Sequence, residues 1–499
     1  MHIIYKTLKI TRVVWSLAVL LIFLSIFLLP ENISELAADW QIIPAAISSL
    51  ALFSFGILVF FIIEAILFGR IFCSFTCPLG VLQDIAIRLG KIFRLPRKNK
   101  LFTTNRRTLR YSFLAILAGA LFLGVAIPLG LFGPFAIFGR FAAAVVKPTF
   151  IRLNNLMVDN ALIEGLQPLH YTPFSLLLLL VASVFFIVIM ITASFRGRLF
   201  CNTLCPAGAI LGLLSKFSLF KITLNQNTCT KCGKCAKACK ANCIDLKNGV
   251  VDNERCVTCF NCTAECTDKA INYLRPKETK EITPDLSKRD FFIIGGSALL
   301  GAAVLPKLLR GTPSPKAVMP PGALNFERFT SKCTACQLCV SNCPGNVLKP
   351  ASMEYGLSGF LQPRLDFDSG MCEFSCSTCS NICPNGALVP LDLKRKKRLQ
   401  IGLAKFFSKR CVVVTDKTHC GACAEHCPTG AVHMIDWKEG LTIPEVRPDL
   451  CIGCGGCEYI CPVRPDKAII VSGSKKQIQA KVASIKQAKD HLKGKDFPF

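Results

Sequence analysis

The sequence predicts a chain in two parts, an α-helical membrane domain followed by small α+β domains built around cysteine quartets. Three observations carry that expectation. Apolar residues make up 52% of the 499 positions and mean hydropathy is +0.45. They bunch in the first two hundred positions, so the excess reads as membrane-spanning sequence, not as an oversized core. The chain also holds 29 cysteines, many spaced C-x2-C-x2-C-x3-C, and a cysteine-bearing segment of the apolar part occurs twice.

So many cysteines are compatible with disulfides, zinc or iron–sulfur clusters. Disulfide scaffolds are usually short secreted chains, and zinc ribbons use paired C-x2-C with wide gaps. Three closely spaced thiolates followed by a fourth one turn later instead wrap a [4Fe–4S] cube, the fourth thiolate being aimed at the neighbouring cube. The first cassette has Cys229, Cys232, Cys235 and Cys239, then Cys256, Cys259, Cys262 and Cys266. The expected ligand sets are Cys229/Cys232/Cys235/Cys266 and Cys256/Cys259/Cys262/Cys239. Two downstream cassettes give Cys333/Cys336/Cys339/Cys383, Cys372/Cys376/Cys379/Cys343, Cys411/Cys420/Cys423/Cys461 and Cys451/Cys454/Cys457/Cys427 by the same rule. Six [4Fe–4S] clusters thus use 24 cysteines. Cys411 is the least regular ligand, being separated from Cys420 by a widened gap. Cys243 is expected to be a small buried residue. Lys240 and Thr267 stand where such cassettes usually carry proline and read as divergence. His419, His426 and His433 read as supporting donors or surface residues, and the run Lys394 to Arg398 as a solvated loop.

In the apolar half, Lys6, Lys9 and Arg12 precede a first helix expected from Val13 to Leu29, with its N-terminus inside. The next loop carries Glu31, Glu35 and Asp39, as an outside loop would. A second helix is expected from Pro44 to Phe68, and ten Lys or Arg residues between Arg70 and Arg110 place the following loop inside. Helices three and four are expected over Tyr111 to Ile127 and Pro173 to Ala193. The apolar stretch starting at Gly130 is expected to lie along the outer face as an interfacial helix.

Gly69-Arg70-Ile71-Phe72-Cys73 to Cys77-Pro78-Leu79-Gly80 matches Gly197-Arg198-Leu199-Phe200-Cys201 to Cys205-Pro206-Ala207-Gly208. Two copies in one orientation imply a pair of repeated helical hairpins about an axis along the membrane normal. Cys73, Cys77, Cys201 and Cys205 would then face each other at the cytoplasmic surface. They could bind metal, form a redox pair, help seat a cluster, or be buried thiols in a tight turn. The four helices contain no His and the chain no C-x2-C-H, so no haem is expected. Glu64 is the one intramembrane acid, read either as a proton acceptor from a quinol or as a carboxylate paired with an arginine. The formal charge of +27 fits positive inside loops and acidic partners; no nucleic acid is expected.

Ser287 to Phe292 reads SKRDFF and opens a Gly- and Ala-rich apolar stretch. It resembles a twin-arginine export signal with Lys288 in place of the first arginine. Uncleaved, it would act as a fifth helix and leave the remainder outside. The expected domains are therefore a four-helix membrane domain (1–215), a cytoplasmic two-cluster domain (216–284), the fifth helix (285–311), a proline-rich linker (312–325), a four-cluster domain (326–475) and a basic tail (476–499).

These motifs resemble a known family. The first 270 residues are similar to NapH-type membrane ferredoxins, with four helices, two C-x3-C-P motifs and one two-cluster cassette. From Ser287 onward the chain is similar to NapG-type exported ferredoxins, including Pro320-Pro321-Gly322-Ala323 and four clusters. NosR-type and CcoG-type proteins share the membrane motifs, but the chain lacks a NosR-like flavin domain, so no flavin is expected. Phe75 and Thr203 stand where the family often has Trp. The resemblance implies a bacterial inner-membrane protein passing electrons from the quinone pool, or a cytoplasmic donor, to a periplasmic reductase or its cytochrome. A maturation factor that reduces metal or thiols for a respiratory enzyme is the alternative.

Overall fold

A computed structural model describes residues 2–29, 40–48, 52–93, 106–160, 167–169, 175–275, 287–309, 314 and 317–481. The acidic loop with Glu31, Glu35 and Asp39 and the chain beyond Lys481 lie outside the described residues. Among them, four helices are long and apolar enough to cross a membrane: Ile3–Leu28, Pro134–Asp159, Leu176–Arg196 and Lys288–Leu309.

Three of these agree with the sequence reading and one does not. The first helix, His2–Leu28, starts eleven residues before the apolar run, because Lys9 and Arg12 find acidic partners in other elements. The fifth helix exists, with Ser287 accepting from the Asp290 N–H and Asp290 accepting from the Ser287 N–H in a capping box. Phe291, Phe292, Leu299 and Leu308 are exposed along it, as lipid-facing residues would be. The stretch from Gly130, expected as an interfacial helix, instead forms part of a continuous helix from Pro134 to Asp159. Its first two turns, Pro134 to Arg140, are buried. A π-helical turn over Ala142–Val146 absorbs the hydrogen bond that Pro148 cannot make. Within the second and third expected spans, the described residues form helices over Leu52–Phe68 and Arg107–Phe122.

The basic loop after Arg70 also holds more structure than its charge suggests. Phe72–Phe75 and Pro78–Ile92 are helical, and Leu79, Gln83, Ala86, Ile87 and Gly90 form one buried face of the second. That 3.6-residue spacing was present in the sequence but masked by the flanking lysines and arginines.

The two-cluster cassette docks at one end of the bundle. Tyr5 Oη accepts from the Tyr273 N–H at 3.1 Å, Lys9 pairs with Glu265 at 3.2 Å, and the Lys240 carbonyl accepts from the Arg198 N–H at 2.9 Å. The downstream cassettes dock at the other end. Asn342 Nδ2 donates to the Ile26 carbonyl at 3.1 Å, and Phe23, Phe27, Phe135 and Phe138 share a core with Leu338 and Ile382. Tyr5 and Ile26 sit on one helix that rises about 1.5 Å per residue, so the two docking points are ~32 Å apart along its axis. That is the thickness of a bilayer's hydrocarbon core, roughly 30 Å.

Two expected boundaries shift. Residues 317–323, expected within the linker, are buried; Gln477 accepts from the Gly322 N–H at 3.1 Å and donates to the Pro320 carbonyl at 2.8 Å. Gly322, at φ 89°, sits where a Cβ would press on the Val389 carbonyl. The basic tail, expected from Lys476, begins later, because the strand Ile469–Gln479 continues past it, paired antiparallel with Leu399–Phe406.

Candidate functional site

The cysteine runs fold into loops whose backbone is bent in one repeated way. In Cys229–Cys235, Cys256–Cys262, Cys333–Cys339 and Cys451–Cys457, the second and fourth residues after the first cysteine have positive φ. They are Lys231 and Gly233, Thr258 and Phe260, Ala335 and Gln337, Gly453 and Gly455. Five of the eight carry a β-carbon that makes this conformation unfavourable by about 1–3 kcal/mol each. Such strain persists where a bound group fixes the loop. Backbone N–H groups then reach the sulfurs: Lys231 donates to Cys229 at 3.4 Å and Val432 to Cys427 at 3.4 Å. Donors and thiolates converging on one small volume are what a [4Fe–4S] cube needs, and the residues present fit it.

The crossed partners come together. Cys266 joins Cys229, Cys232 and Cys235 around one cavity, and Cys239 joins Cys256, Cys259 and Cys262 around the next. Cys343 lines a cavity with Cys372, Cys376 and Cys379, and Cys427 one with Cys451, Cys454 and Cys457. Cys383 lies within electrostatic range of Cys333, Cys336 and Cys339. Cys411 likewise reaches Cys420 and Cys461, its widened gap taken up by the helical turn Val412–Thr415. Cys243 is buried as expected, yet its Sγ lies 3.5 Å from Cys239 Sγ on the wall of that cavity.

The two C-x3-C-P motifs converge as well. Cys73, Cys77, Cys201 and Cys205 are all buried in one core that also contains Val257 and Cys259 of the adjacent cassette. Each motif locks onto the other through its arginine. Arg70 Nη2 donates to the Cys201 carbonyl at 3.0 Å, and Arg198 Nη1 donates to the Cys73 carbonyl. Gly80 and Gly208 lie against those same two carbonyls, where any Cβ would collide.

Sequence reasoning passed over the charged residues that hold this region. Asp84 pairs with Arg198 at 2.8 Å, Lys240 at 2.6 Å and Arg12 at 3.0 Å. Burial alone would raise its carboxyl, but Arg198, Lys240 and Arg12 outweigh that and hold it down at about 2. Lys240 is thus a docking residue and not mere divergence. Glu254 pairs with Arg107 and Arg110, both at 2.7 Å. Lys396, expected in a solvated loop, is buried, with Nζ 2.9 Å from the Glu373 carbonyl beside Cys372. The signal for Arg70 and Arg198 was available, because the Gly-Arg pair is part of the repeat. His433 pairs with Glu445 at 2.8 Å. Glu64 is half-buried on its helix and has no hydrogen bond or ion pair among the described residues.

Thiol sets on strained loops, attached to apolar helices of membrane-crossing length, define an iron–sulfur electron carrier of the polyferredoxin class. A 4Fe-4S dicluster domain model matches residues 332–414 and 418–464, and a 4Fe-4S binding domain model matches 50–96 and 178–225. A second 4Fe-4S binding domain model matches 226–242. Ferredoxin-type protein NapG of Escherichia coli is 31% identical over 178 residues, covering 34% of this chain and 75% of that protein. Methylamine utilization ferredoxin-type protein MauM of Methylobacillus flagellatus is 34% identical over 176 residues, covering 33% and 74%. Methylamine utilization ferredoxin-type protein MauN of Paracoccus denitrificans is 28% identical over 204 residues, covering 40% and 56%. The chain belongs to the NapG- and MauM-type family of ferredoxin-type proteins. No solved structure matches it.

Proposed function

We propose that this protein carries electrons across the bacterial inner membrane, from membrane quinol or a cytoplasmic donor to a periplasmic reductase or its cytochrome. The observation that supports the reading most is the separation of the two docking points, ~32 Å along the first helix. In this reading the cassette at Tyr5 and Lys9 is cytoplasmic and the four-cluster domain is periplasmic, reached through the Lys288–Leu309 helix. Six [4Fe–4S] clusters, held by the 24 cysteines assigned above, supply one-electron chemistry when bound. The chain's own residues fix their spacing, exclude water and set the surrounding charge. The two C-x3-C-P repeats are paired hairpins around an axis along the membrane normal, which the reciprocal contacts of Arg70 and Arg198 support. Glu64, with no cation paired to it among the described residues, is the group suited to accept a proton as quinol is oxidised.

Protease added to spheroplasts tests the direction. Cleavage after Leu324 from outside is expected; protection until lysis overturns the proposal. A second reading, a maturation factor that reduces metal or thiols, is favoured by the convergence of four buried cysteines. It predicts metal or thiol reduction that Cys73→Ser/Cys201→Ser abolishes while quinol oxidation continues.

A further inference from the structure

We infer that Cys73, Cys77, Cys201 and Cys205 together hold one additional [4Fe–4S] cluster, two thiolates from each repeat, as the carrier between the two ends of the helix bundle. This rests on the electron-transfer reading and extends it. The family match attaches iron–sulfur binding to both repeats, but each supplies only two of its own cysteines, and a cube takes four. A shared site resolves the mismatch, and all four thiols lie in one core.

Charge is the independent observation. Arg70 is fully buried, and among the described residues no carboxylate pairs with it. Its donors go to Asn202 Oδ1 at 2.7 Å, to the Cys201 and Glu254 carbonyls, and toward Cys73 Sγ at 3.9 Å, while Nε has no partner. Beside it Arg198, Lys240 and Arg12 share the single carboxylate of Asp84. A buried guanidinium without a counter-anion is strongly unfavourable. Four protonated thiols supply no such anion; a thiolate-ligated cluster does. Neutral donors also face the sulfurs, Gln83 Nε2 at 3.3 Å from Cys201 and the Gly208 N–H at 3.3 Å from Cys205.

Position supplies the role. Tunnelling rates fall exponentially with distance, and with docking points ~32 Å apart along the first helix a carrier between the two ends shortens each step. On one side the four thiols share their core with Cys259. On the other side that core includes Ile137, and two residues further Gly139 packs on the Cys336 carbonyl, where a Cβ would collide. The buried guanidinium of Arg140 lies within electrostatic range of Cys336. The centre gains one electron from the Cys256 set and loses one to the Cys333 set, and no bond is made or broken.

Iron and acid-labile sulfide are counted on the full chain, purified anaerobically in detergent, for wild type and Cys73→Ser/Cys201→Ser. The variant is expected to lose about four irons and four sulfides per chain and to keep the other clusters' magnetic resonance signals. Unchanged iron, or loss of a single zinc, overturns the inference. Should the double variant fail to fold, Arg70→Gln serves. It is expected to retain all iron and to shift one centre to a lower potential, since removing a cation disfavours the more negative reduced state. A redox titration in which no centre moves overturns the inference. Wild type with the full iron count but no quinol oxidation would overturn the proposed electron source and leave this centre standing.

Discussion

Asp84 neutralises cations from three separate elements: Arg12 on the first helix, Arg198 in the second C-x3-C-P repeat and Lys240 in the first cysteine cassette. Replacing it with Asn leaves three largely buried cations without their counter-charge, a change that destabilises by roughly 3–5 kcal/mol. Asp84→Asn is therefore expected to lower the thermal midpoint in detergent and to loosen the first cassette, read as faster hydrogen exchange at Arg198 and Lys240. Its pH dependence has a definite sign. The folded carboxyl titrates at about 2, below its unfolded value of roughly 3.9. Its stabilisation is thus complete above about pH 4 and is lost as pH falls through about 2. Wild type should show this acid-side loss and Asp84→Asn should lack it. Gly197 belongs to the same seam. At φ 69° and with the Lys240 carbonyl against it, it leaves no room for a Cβ, so Gly197→Ala is expected to weaken docking without changing iron content.

At the scale of elements, the fifth helix is held by contact of backbone on backbone. A Cβ on Gly119 would press on the Ala298 carbonyl, and one on Gly301 on the Ile116 carbonyl. Close approach of this kind is how helices associate in lipid, where apolar side chains gain nothing by leaving one another's company. Gly301→Leu is expected to part the Lys288–Leu309 and Arg107–Phe122 helices. A Thr108→Cys/Asp290→Cys pair, at positions whose side chains hydrogen-bond at 2.6 Å across these two helices, should cross-link less in that background. The periodicity of these helices was legible in the sequence. The helix Pro78–Ile92 was not read, because charge counting dominates a stretch rich in lysine and arginine, and burial of its Leu79–Ile87 face depends on helices far away in sequence.

For the whole molecule, the seam between the helix bundle and the outer cassettes carries the consequence. Gly139 touches the Cys336 carbonyl, and Asn342 reaches the Ile26 carbonyl from the other partner. Gly139→Phe is expected to keep the iron of the outer cassettes while slowing their reduction by electrons supplied at the first cassette. Stopped-flow absorbance in proteoliposomes would measure it; an unchanged rate would place the electron path elsewhere.

Local spacing determined much of this protein by itself. A cluster needs thiolates a few residues apart, so the cysteine loops and their expected ligand sets can be written down from the sequence, and hydropathy located most of the long helices. Tertiary structure alone decided what is non-local. It brought Cys73 and Cys77 to Cys201 and Cys205, set Lys240 on Asp84, placed Arg70 among neutral acceptors, and put the two groups of cassettes at opposite ends of the bundle. Those arrangements depend on which distant side chains share a buried, low-dielectric space, and no spacing within one segment encodes that.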